Sequence, residues 1–150
     1  MADGRAEGKL VFRRPYSDEF LDFCAQNFEV AIWSSRNKNN VELVVDIVMK
    51  DFKPCLLFCW GDYSPSNTFL VDDSPYKALH NPPHTGIFPH SYSYQNWTDD
   101  SVGPGGDLRV YLQKLADADD VQTYVRNNPF GQPFITDSDP HWDFYSQLVV

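Results

Sequence analysis

The sequence predicts an α/β fold in which helices cover the faces of a mainly parallel sheet. Short apolar runs alternate with amphipathic helical stretches over residues 9–60, in the order strand, helix, strand, helix, strand. A later apolar run, Phe69–Val71, ends in two adjacent acids and a Ser-Pro turn, as a buried strand of a parallel sheet does. One domain is expected, because 150 residues bury one core of ordinary size.

The first strand and the first helix lie close to the N-terminus. A polar arm of residues 1–8 precedes the apolar segment Lys9–Phe12, for which we predict a short strand. Ser17 is the predicted N-cap of the helix that follows, because a serine hydroxyl can accept a hydrogen bond from a free N–H of the first turn. The apolar side chains of this helix recur on one face: Phe20, Leu21, Phe23, Cys24 and Phe28.

The next strand and helix repeat this arrangement. Glu29–Trp33 is a predicted strand that ends at the hydroxyl side chain of Ser34, and Asn40 begins a second predicted helix. The valines of that helix follow helical spacing: Val41, Val44, Val45 and Val48. Leu56–Phe58 is the predicted third strand.

The connection between the third strand and the run at Phe69–Val71 is too short. Only residues 61–66 separate Trp60 from Asn67, whereas a parallel crossover needs about a dozen residues or more. We therefore predict that Leu56–Phe58 and Phe69–Val71 either pair antiparallel or do not belong to one continuous parallel sheet. Apolar strand edges left exposed in this way would promote aggregation.

Asp72 and Asp73 follow that run and leave two interpretations open. Two ionised carboxylates this close repel each other, so either one takes up a proton or a hard cation such as Mg²⁺ lies between them. The carboxyl ends of strands are also where open α/β sheets bind ligands. Alternatively, the pair caps a helix that begins near Pro75.

The second half of the chain predicts one strand and three helices. Gly86–Phe88 is the strand, and Asp120 and Asp139 are the predicted N-caps of the last two helices. The glycine-rich segment Gly103–Asp107 lacks the Lys-Ser/Thr ending of a phosphate loop, so a plain helix start capped by its aspartate is favoured. The helix after it has one apolar face: Leu108, Tyr111, Leu112 and Leu115.

Composition and charge argue against several classes of function. A formal charge of −9 argues against a nucleic-acid surface and against an anionic membrane, because both require clustered Lys and Arg. The three cysteines and four histidines lack the spacing of a disulfide framework or a zinc site. No apolar run approaches a membrane-spanning length, and residues 1–7 carry no signal core. We therefore expect a soluble cytoplasmic or nuclear protein rather than a mitochondrial one.

Several motifs resemble the FCP-type phosphatase homology domain of the haloacid dehalogenase superfamily. The segments that carry this resemblance are, in chain order, Arg14-Pro15 with Asp18–Leu21, Ile32–Arg36 and Leu70–Pro75. Three further segments are similar to a plant branch of that family: Asn81–His84, Gly103–Leu112 and Pro129–Pro133. The resemblance implies a haloacid-dehalogenase-like, Rossmann-like sheet with flanking helices, present only in part over residues 9–150.

The resemblance also implies a set of site residues. In that family one aspartate of an Asp-x-Asp motif attacks phosphorus, and a second aspartate is general acid and base. By position, Ser34 matches the hydroxyl that holds the phosphate, and Asp72 and Asp73 match the late acidic motif of the Mg²⁺ site. The nucleophile motif has no match before the first strand, and the charge-neutralising lysine has none at the junction of Trp60 and Gly61. We therefore expect no catalytic nucleophile, and Mg²⁺ binding that is weak or absent.

Two other segments contain the Asp-x-Asp pattern. Asp137 and Asp139 follow an apolar pair, but Pro140 and a helix start come directly after them. Asp117 and Asp119 lie in a helical pattern. Capping and solvation are the favoured explanations for both.

Three functions stay open on this basis. The first is a truncated family member, from an alternative transcript or an incomplete gene model, that is inactive and acts through a protein partner. The second is an active Mg²⁺-dependent protein serine/threonine phosphatase that acts on a phosphoprotein, as full-length relatives do. The third is an import-receptor-like subunit of the mitochondrial inner-membrane presequence translocase, which would need a presequence and a membrane span that this sequence lacks.

Overall fold

The computed structural model describes residues 1–34, 38–55 and 68–148, and in these the chain is mixed α/β. The chain divides into two compact units, each made of two segments: Met1–Gly61 with Tyr92–Ala116, and Asp62–Ser91 with Asp117–Val150. The predicted strand Leu56–Phe58 lies outside the described residues. The same holds for the short connection at residues 60–67, so the predicted pairing of this strand stays a prediction.

The first unit begins with a β-hairpin. Strand β1, Gly4–Ala6, pairs antiparallel with strand β2, Lys9–Val11, so that Gly4 lies opposite Val11. Glu7 and Gly8 form the two-residue turn between them, with φ of 45° and 78°, because such turns match the twist of paired strands only with positive φ. The predicted strand at Lys9 is confirmed, and part of the polar segment 1–8 pairs with it.

Helix α1, Ser17–Asn27, buries Phe23 and Cys24 on its predicted apolar face. The prediction of Ser17 as N-cap is wrong. Tyr16 occupies the cap position in the left-handed conformation, with φ of 61° and no side-chain capping bond. The reason is a turn just before the helix, in which the Ser17 N–H donates to the Arg14 carbonyl at 3.2 Å, so Ser17 is already the first helical residue.

The predicted strand Glu29–Trp33 does not form over its length. Val30 alone lies in an isolated β-bridge, and the residues from there to Ser34 have no regular structure. Trp33 is 78% exposed. An apolar run becomes a strand only when another strand supplies the partners for its backbone hydrogen bonds, and a sequence pattern does not reveal that partner.

Helix α2, Lys38–Val48, begins at Lys38 rather than at the predicted Asn40, and Val45 is its most buried residue. It packs on the hairpin closely enough that a Cβ added to Gly4 would lie 2.9 Å from the Ile47 side chain. A short 3₁₀ helix, Lys53–Cys55, follows it.

The buried thiol of Cys24 in α1 has its pKa raised to about 11 by burial, against a smaller opposing effect of the nearby Arg109, so it is an unreactive core residue.

Helix α3, Asp107–Ala116, forms where it was predicted, but Asp107 is its first helical residue and not the predicted cap before it. The four predicted apolar residues are all buried: Leu108, Tyr111, Leu112 and Leu115. The Asp107 carboxylate accepts a hydrogen bond from the Leu108 N–H at 2.7 Å. Before it, Gly106 lies so near the backbone that an added Cβ would be 2.0 Å from the Asp100 carbonyl oxygen. The glycine-rich turn is therefore explained by close backbone packing at a helix start.

An ion pair holds the loop that precedes α3. The Arg14 guanidinium donates to both carboxylate oxygens of Asp99, at 2.7 and 3.0 Å, and lies 5.4 Å from the ring centroid of Tyr92. Both side chains of the pair are mostly shielded from solvent. Because bidentate arginine–carboxylate pairs fix both distance and orientation, this contact ties residues 92–99 to the start of the chain.

The second unit contains a parallel strand pair. Strand β3, Leu70–Val71, lies beside strand β4, Gly86–Ile87, with Leu70 opposite Gly86. Phe88 continues through a parallel bridge to Gly131, where the Gln132 N–H donates to the Phe88 carbonyl at 2.7 Å. Both predicted strands therefore exist and are parallel. The expectation of a fully buried β3 is wrong, since Val71 is 40% exposed.

The remaining helices also belong to the second unit. Helix α4, Val121–Asn127, has the predicted cap, since the Asp120 carboxylate accepts from the Thr123 N–H at 2.6 Å. Helix α5, Trp142–Tyr145, continues as a 3₁₀ turn, Ser146–Leu148. The prediction of Asp139 as N-cap is wrong, because His141 occupies the cap position without a side-chain capping bond. Asp139 instead accepts from the His141 N–H at 2.8 Å, in the turn before the helix. Among the described residues, no helix is long and apolar enough to span a membrane.

The buried face of α3 yields a stability prediction. Leu112 is 3% exposed, so Leu112→Ala leaves a cavity and lowers the free energy of unfolding by about 2–5 kcal/mol. Gln113→Ala, at the neighbouring exposed position, changes it by no more than about 0.5 kcal/mol. Urea unfolding followed by circular dichroism measures both. Equal effects of the two substitutions would contradict the packing of this face.

Candidate functional site

The candidate site lies where β3 ends, in the second unit. Asp72 and Asp73 come directly after the strand, as predicted. The Asp72 carboxylate binds the Lys77 ammonium through both oxygens, at 2.9 and 3.0 Å. One of these oxygens also accepts the Ser74 N–H at 2.9 Å. Asp72 therefore has hydrogen-bond partners on both oxygens, and its side chain is 17% exposed.

The local sequence explains why Lys77 reaches Asp72. The 3₁₀ helix Pro75–Ala78 starts at a proline, whose fixed φ suits a first helical position. Its first turn is closed by the Lys77 N–H, which donates to the Ser74 carbonyl at 3.1 Å. This single turn brings the lysine back towards the strand end. The interpretation of the pair as the cap of this helix is wrong, because Ser74 is the N-cap and has no side-chain capping bond. Asp72 accepts from the N–H of Ser74 and not from one of the first helical turn.

Asp73 is held by hydroxyl groups rather than by a cation. The Ser74 hydroxyl donates to its carboxylate at 3.0 Å, and the Ser91 hydroxyl is a second hydrogen-bond partner. The Asp73 backbone is fixed as well, because the Gln132 side-chain amide donates to its carbonyl at 2.8 Å and to the Pro89 carbonyl at 3.1 Å. These two hydrogen bonds join the segment after Gly131 to the residues that follow β3 and β4.

These contacts determine how the acidic pair ionises. Partial burial is the largest single effect on the pKa of Asp73 and raises it, but the hydrogen bonds from Ser91 and Ser74 and the charge of Lys77 together bring it below its ordinary value. The pKa of Lys77 is raised, first by its hydrogen bond with Asp72. Proton uptake by Asp73 is therefore not how the pair relieves its repulsion. The ammonium of Lys77 supplies the compensating charge.

The donor set does not by itself fit Mg²⁺. This ion requires about six oxygen ligands in near-octahedral geometry and usually draws on several carboxylates or a substrate phosphate. In the part of the chain that the structure describes, no three His, Cys, Asp or Glu side chains come together in a group that could hold a metal. Moreover, both oxygens of Asp72 are engaged by Lys77.

The other predicted site residues lie elsewhere in the chain. Ser34 belongs to the first unit, where it is exposed, whereas Asp72 and Asp73 belong to the second. Asp137 is exposed in a turn that the Asp139 N–H closes by donating to the Thr136 carbonyl at 2.9 Å.

The second Asp-x-Asp segment follows α3 rather than lying inside it. Asp117 and Asp119 are exposed in the connection between α3 and α4. Their solvation agrees with the explanation predicted from the sequence, whereas Asp139 accepts a hydrogen bond in the turn before α5 and is not its N-cap.

Three residues of the site were not predicted from the sequence. Lys77 had a usable signal, since a lysine one turn after an acidic pair can fold back on it. Ser91 and Gln132 had none, because they are brought to Asp73 by the parallel pairing of β3 with β4 and by the bridge at Gly131. Such contacts depend on strand partners that no local pattern specifies.

Part of the chain matches a known protein family. Residues 2–60, less than half of the chain, match the family of NLI interacting factor-like phosphatases. This confirms the resemblance to the FCP-type phosphatase homology domain in that part of the chain. No curated protein matches the sequence.

The Lys77–Asp72 pair yields a titration prediction. Lys77→Met removes the positive charge, so the pKa of Asp73 rises towards the ordinary value of about 4, and carbon-detected NMR of the carboxyl group follows it. The substitution also lowers the free energy of unfolding at pH 7 by about 1 kcal/mol or less, because the pair is partly solvent-screened. Lys114→Met, at an exposed position of α3, is the matched control and leaves the Asp73 titration unchanged.

The direction in which stability changes with pH follows from the pKa shifts of Asp73 and Lys77. The lowered pKa of Asp73 stabilises the fold fully above the unfolded value of about 4, and this contribution is lost as the pH falls through the folded pKa. The raised pKa of Lys77 contributes fully below about 10.4 and is lost as the pH rises through its folded pKa. An Asp73 titration that is the same in Lys77→Met and in the unmodified protein would show that the charge of Lys77 does not act on Asp73.

Proposed function

We propose that this chain, which carries the phosphatase-family match at residues 2–60, is a non-catalytic relative of the phosphoprotein phosphatases and acts by binding protein. The observation that carries the proposal is the Lys77 ammonium on both oxygens of Asp72. A carboxylate neutralised inside its own turn stabilises the fold. It is poorly placed to collect a metal ion or to attack phosphorus.

The aspartates of the two Asp-x-Asp segments support the same proposal. The sequence contains the Asp-x-Asp pattern twice, at Asp117–Asp119 and Asp137–Asp139. Asp139 is engaged at a helix start, and the other three carboxylates are exposed. An attacking carboxylate needs a dry site with preorganised donors for the phosphoryl oxygens. Solvent-exposed turn residues do not offer that environment. Ser34 could hold a phosphoryl oxygen, but holding does not cleave the ester.

A binding role is supported by exposed aromatic side chains in the first unit. Trp97 is 81% exposed and Tyr94 57% exposed, in the loop that the Arg14–Asp99 pair anchors. The ring of Tyr94 stacks on Phe12 with centroids 4.5 Å apart. Aromatic residues are enriched in protein interfaces, and an ordered loop presents them at low entropic cost.

An active Mg²⁺-dependent phosphoprotein phosphatase is the second candidate, because the family match itself favours it. The two candidates differ in metal affinity and in turnover. Both properties can be measured on the isolated chain.

The metal prediction is a dissociation constant for Mg²⁺ in the millimolar range, or no binding, by isothermal titration calorimetry. The cause is the competition of Lys77 for Asp72 and the small number of other oxygen donors near it. Lys77→Met is an internal control, since freeing Asp72 strengthens any binding at this place. Micromolar affinity in the unmodified protein would count against the proposal.

The catalytic prediction is that the chain does not hydrolyse phosphate monoesters. Loss of a catalytic nucleophile costs on the order of 10⁴ to 10⁶ in turnover, and the uncatalysed reaction is among the slowest known. The assay is Mg²⁺-dependent phosphate release from para-nitrophenyl phosphate and from a phosphoserine peptide.

The control for that assay is the double variant Asp72→Asn with Asp73→Asn. Activity above the blank that this variant abolishes would reveal an overlooked nucleophile and overturn the proposal. Asp137→Asn is then the first substitution to test.

A further inference from the structure

A cleft in the first unit lies between α1 and the C-terminal end of α2, and its volume is about 230 Å³. The apolar part of its lining, which we call the floor, consists of Leu21, Ile47, Val48, Met49 and Phe52. Phe52 is buried and the others are partly exposed. The volume is below the 300–1,000 Å³ usual for small-molecule pockets, and it suits one or two side chains of another protein.

The charged part of the lining, which we call the rim, has three aspartates and two cations. Asp18 is neutralised by an ion pair with Arg13, and both line the cleft. Asp22 and Asp51 also line it and are exposed, and among the side chains that the structure describes none forms an ion pair with either. Lys50 is the remaining charged group of the rim. An apolar floor is thus bordered by two carboxylates that the fold does not use, in a chain of net charge −9.

We infer that this cleft receives a lysine or arginine side chain, together with a neighbouring aliphatic residue, from a basic segment of a partner protein. Long basic side chains lay their aliphatic stems along apolar surface and keep the charged end in water. Here the stem covers the floor and the charge reaches Asp22 or Asp51. The inference rests on the proposed protein-binding role and names the chemistry of the partner.

An acidic partner fits this cleft less well. Arg13 is paired with Asp18, although its buried Nε has no hydrogen-bond partner among the described residues. With Lys50 the lining carries two cations against three aspartates, so an incoming carboxylate meets a net negative charge. A basic partner gains from the same aspartates both in attraction at a distance and in contact. The net negative charge of the rim therefore favours a positively charged partner over a negatively charged one.

The experiment uses the full chain and a fluorescein-labelled peptide in which Leu and Arg alternate, with fluorescence anisotropy as the readout. The double variant Asp22→Asn with Asp51→Asn binds this peptide about tenfold more weakly, as expected for the loss of two exposed charge pairs. The matched control is Asp117→Asn with Asp119→Asn, which makes the same change in net charge at exposed positions of the second unit. It changes the affinity by less than about twofold. Thermal unfolding by circular dichroism checks that both variants fold.

Two altered peptides test the floor and the sign of the charge. Replacing every Leu by Ser weakens binding if the apolar floor is used, and replacing every Arg by Glu abolishes it. The inference is overturned if the Leu-to-Ser peptide binds as tightly, or if the two double variants lose affinity equally. Equal losses would mean that the peptide is attracted only by the total charge of the chain.

A second copy of the chain is the competing occupant. Light scattering after size exclusion would then show a dimer that the Asp22 and Asp51 substitutions dissociate, and that result would overturn the inference. The outcome is separable from the proposed function. Phosphate release by the same preparation would refute the non-catalytic role and leave the peptide affinities standing, whereas an inactive chain that ignores the peptide would refute this inference alone.

Discussion

The ion pair between Lys77 and Asp72 is the interaction on which the candidate site depends. Two adjacent carboxylates at a strand end are unstable unless some positive charge compensates them. Here one turn of 3₁₀ helix returns a lysine to the strand, and its ammonium lies about equally far from both oxygens of Asp72, at 2.9 and 3.0 Å. The site therefore supplies the compensating charge from its own residues, and the pKa of Asp73 lies below its ordinary value. The same pairing engages both oxygens of Asp72, so a metal ion would have to compete with the ammonium for them.

In the first unit, the role of an aspartate depends on whether a cationic side chain pairs with it. Asp18 and Asp99 are matched by Arg13 and Arg14, so these four side chains fix the entry to α1 and the loop before α3. Asp22 has no such partner in the described part of the first unit, yet it borders an apolar cleft. Paired carboxylates stabilise the fold through specific contacts. Unpaired ones retain their attraction for cations and so remain available to another molecule.

Helices were predictable from the sequence to a greater extent than strands. The buried face of α3 and the capping role of Asp120 agree with prediction, because helical side-chain spacing and capping act over three or four residues. The prediction of a strand at Glu29–Trp33 was wrong, although the composition of this segment suits a strand. At the site, the position of the acid pair after β3 was predicted, while the contacts of Asp73 with Ser91 and Gln132 were not.

The sequence by itself determined the helical faces, the closely packed glycine turn before α3 and the place of two acids at the end of a short parallel strand. Only the tertiary structure decided which groups those acids meet. Gln132 reaches the backbone of Asp73 across 59 positions of sequence, because β4 lies between β3 and the Gly131 bridge. Local patterns arise from neighbours along the chain, whereas the charge and hydrogen bonding of a site arise from whichever distant segments the strand pairing brings together.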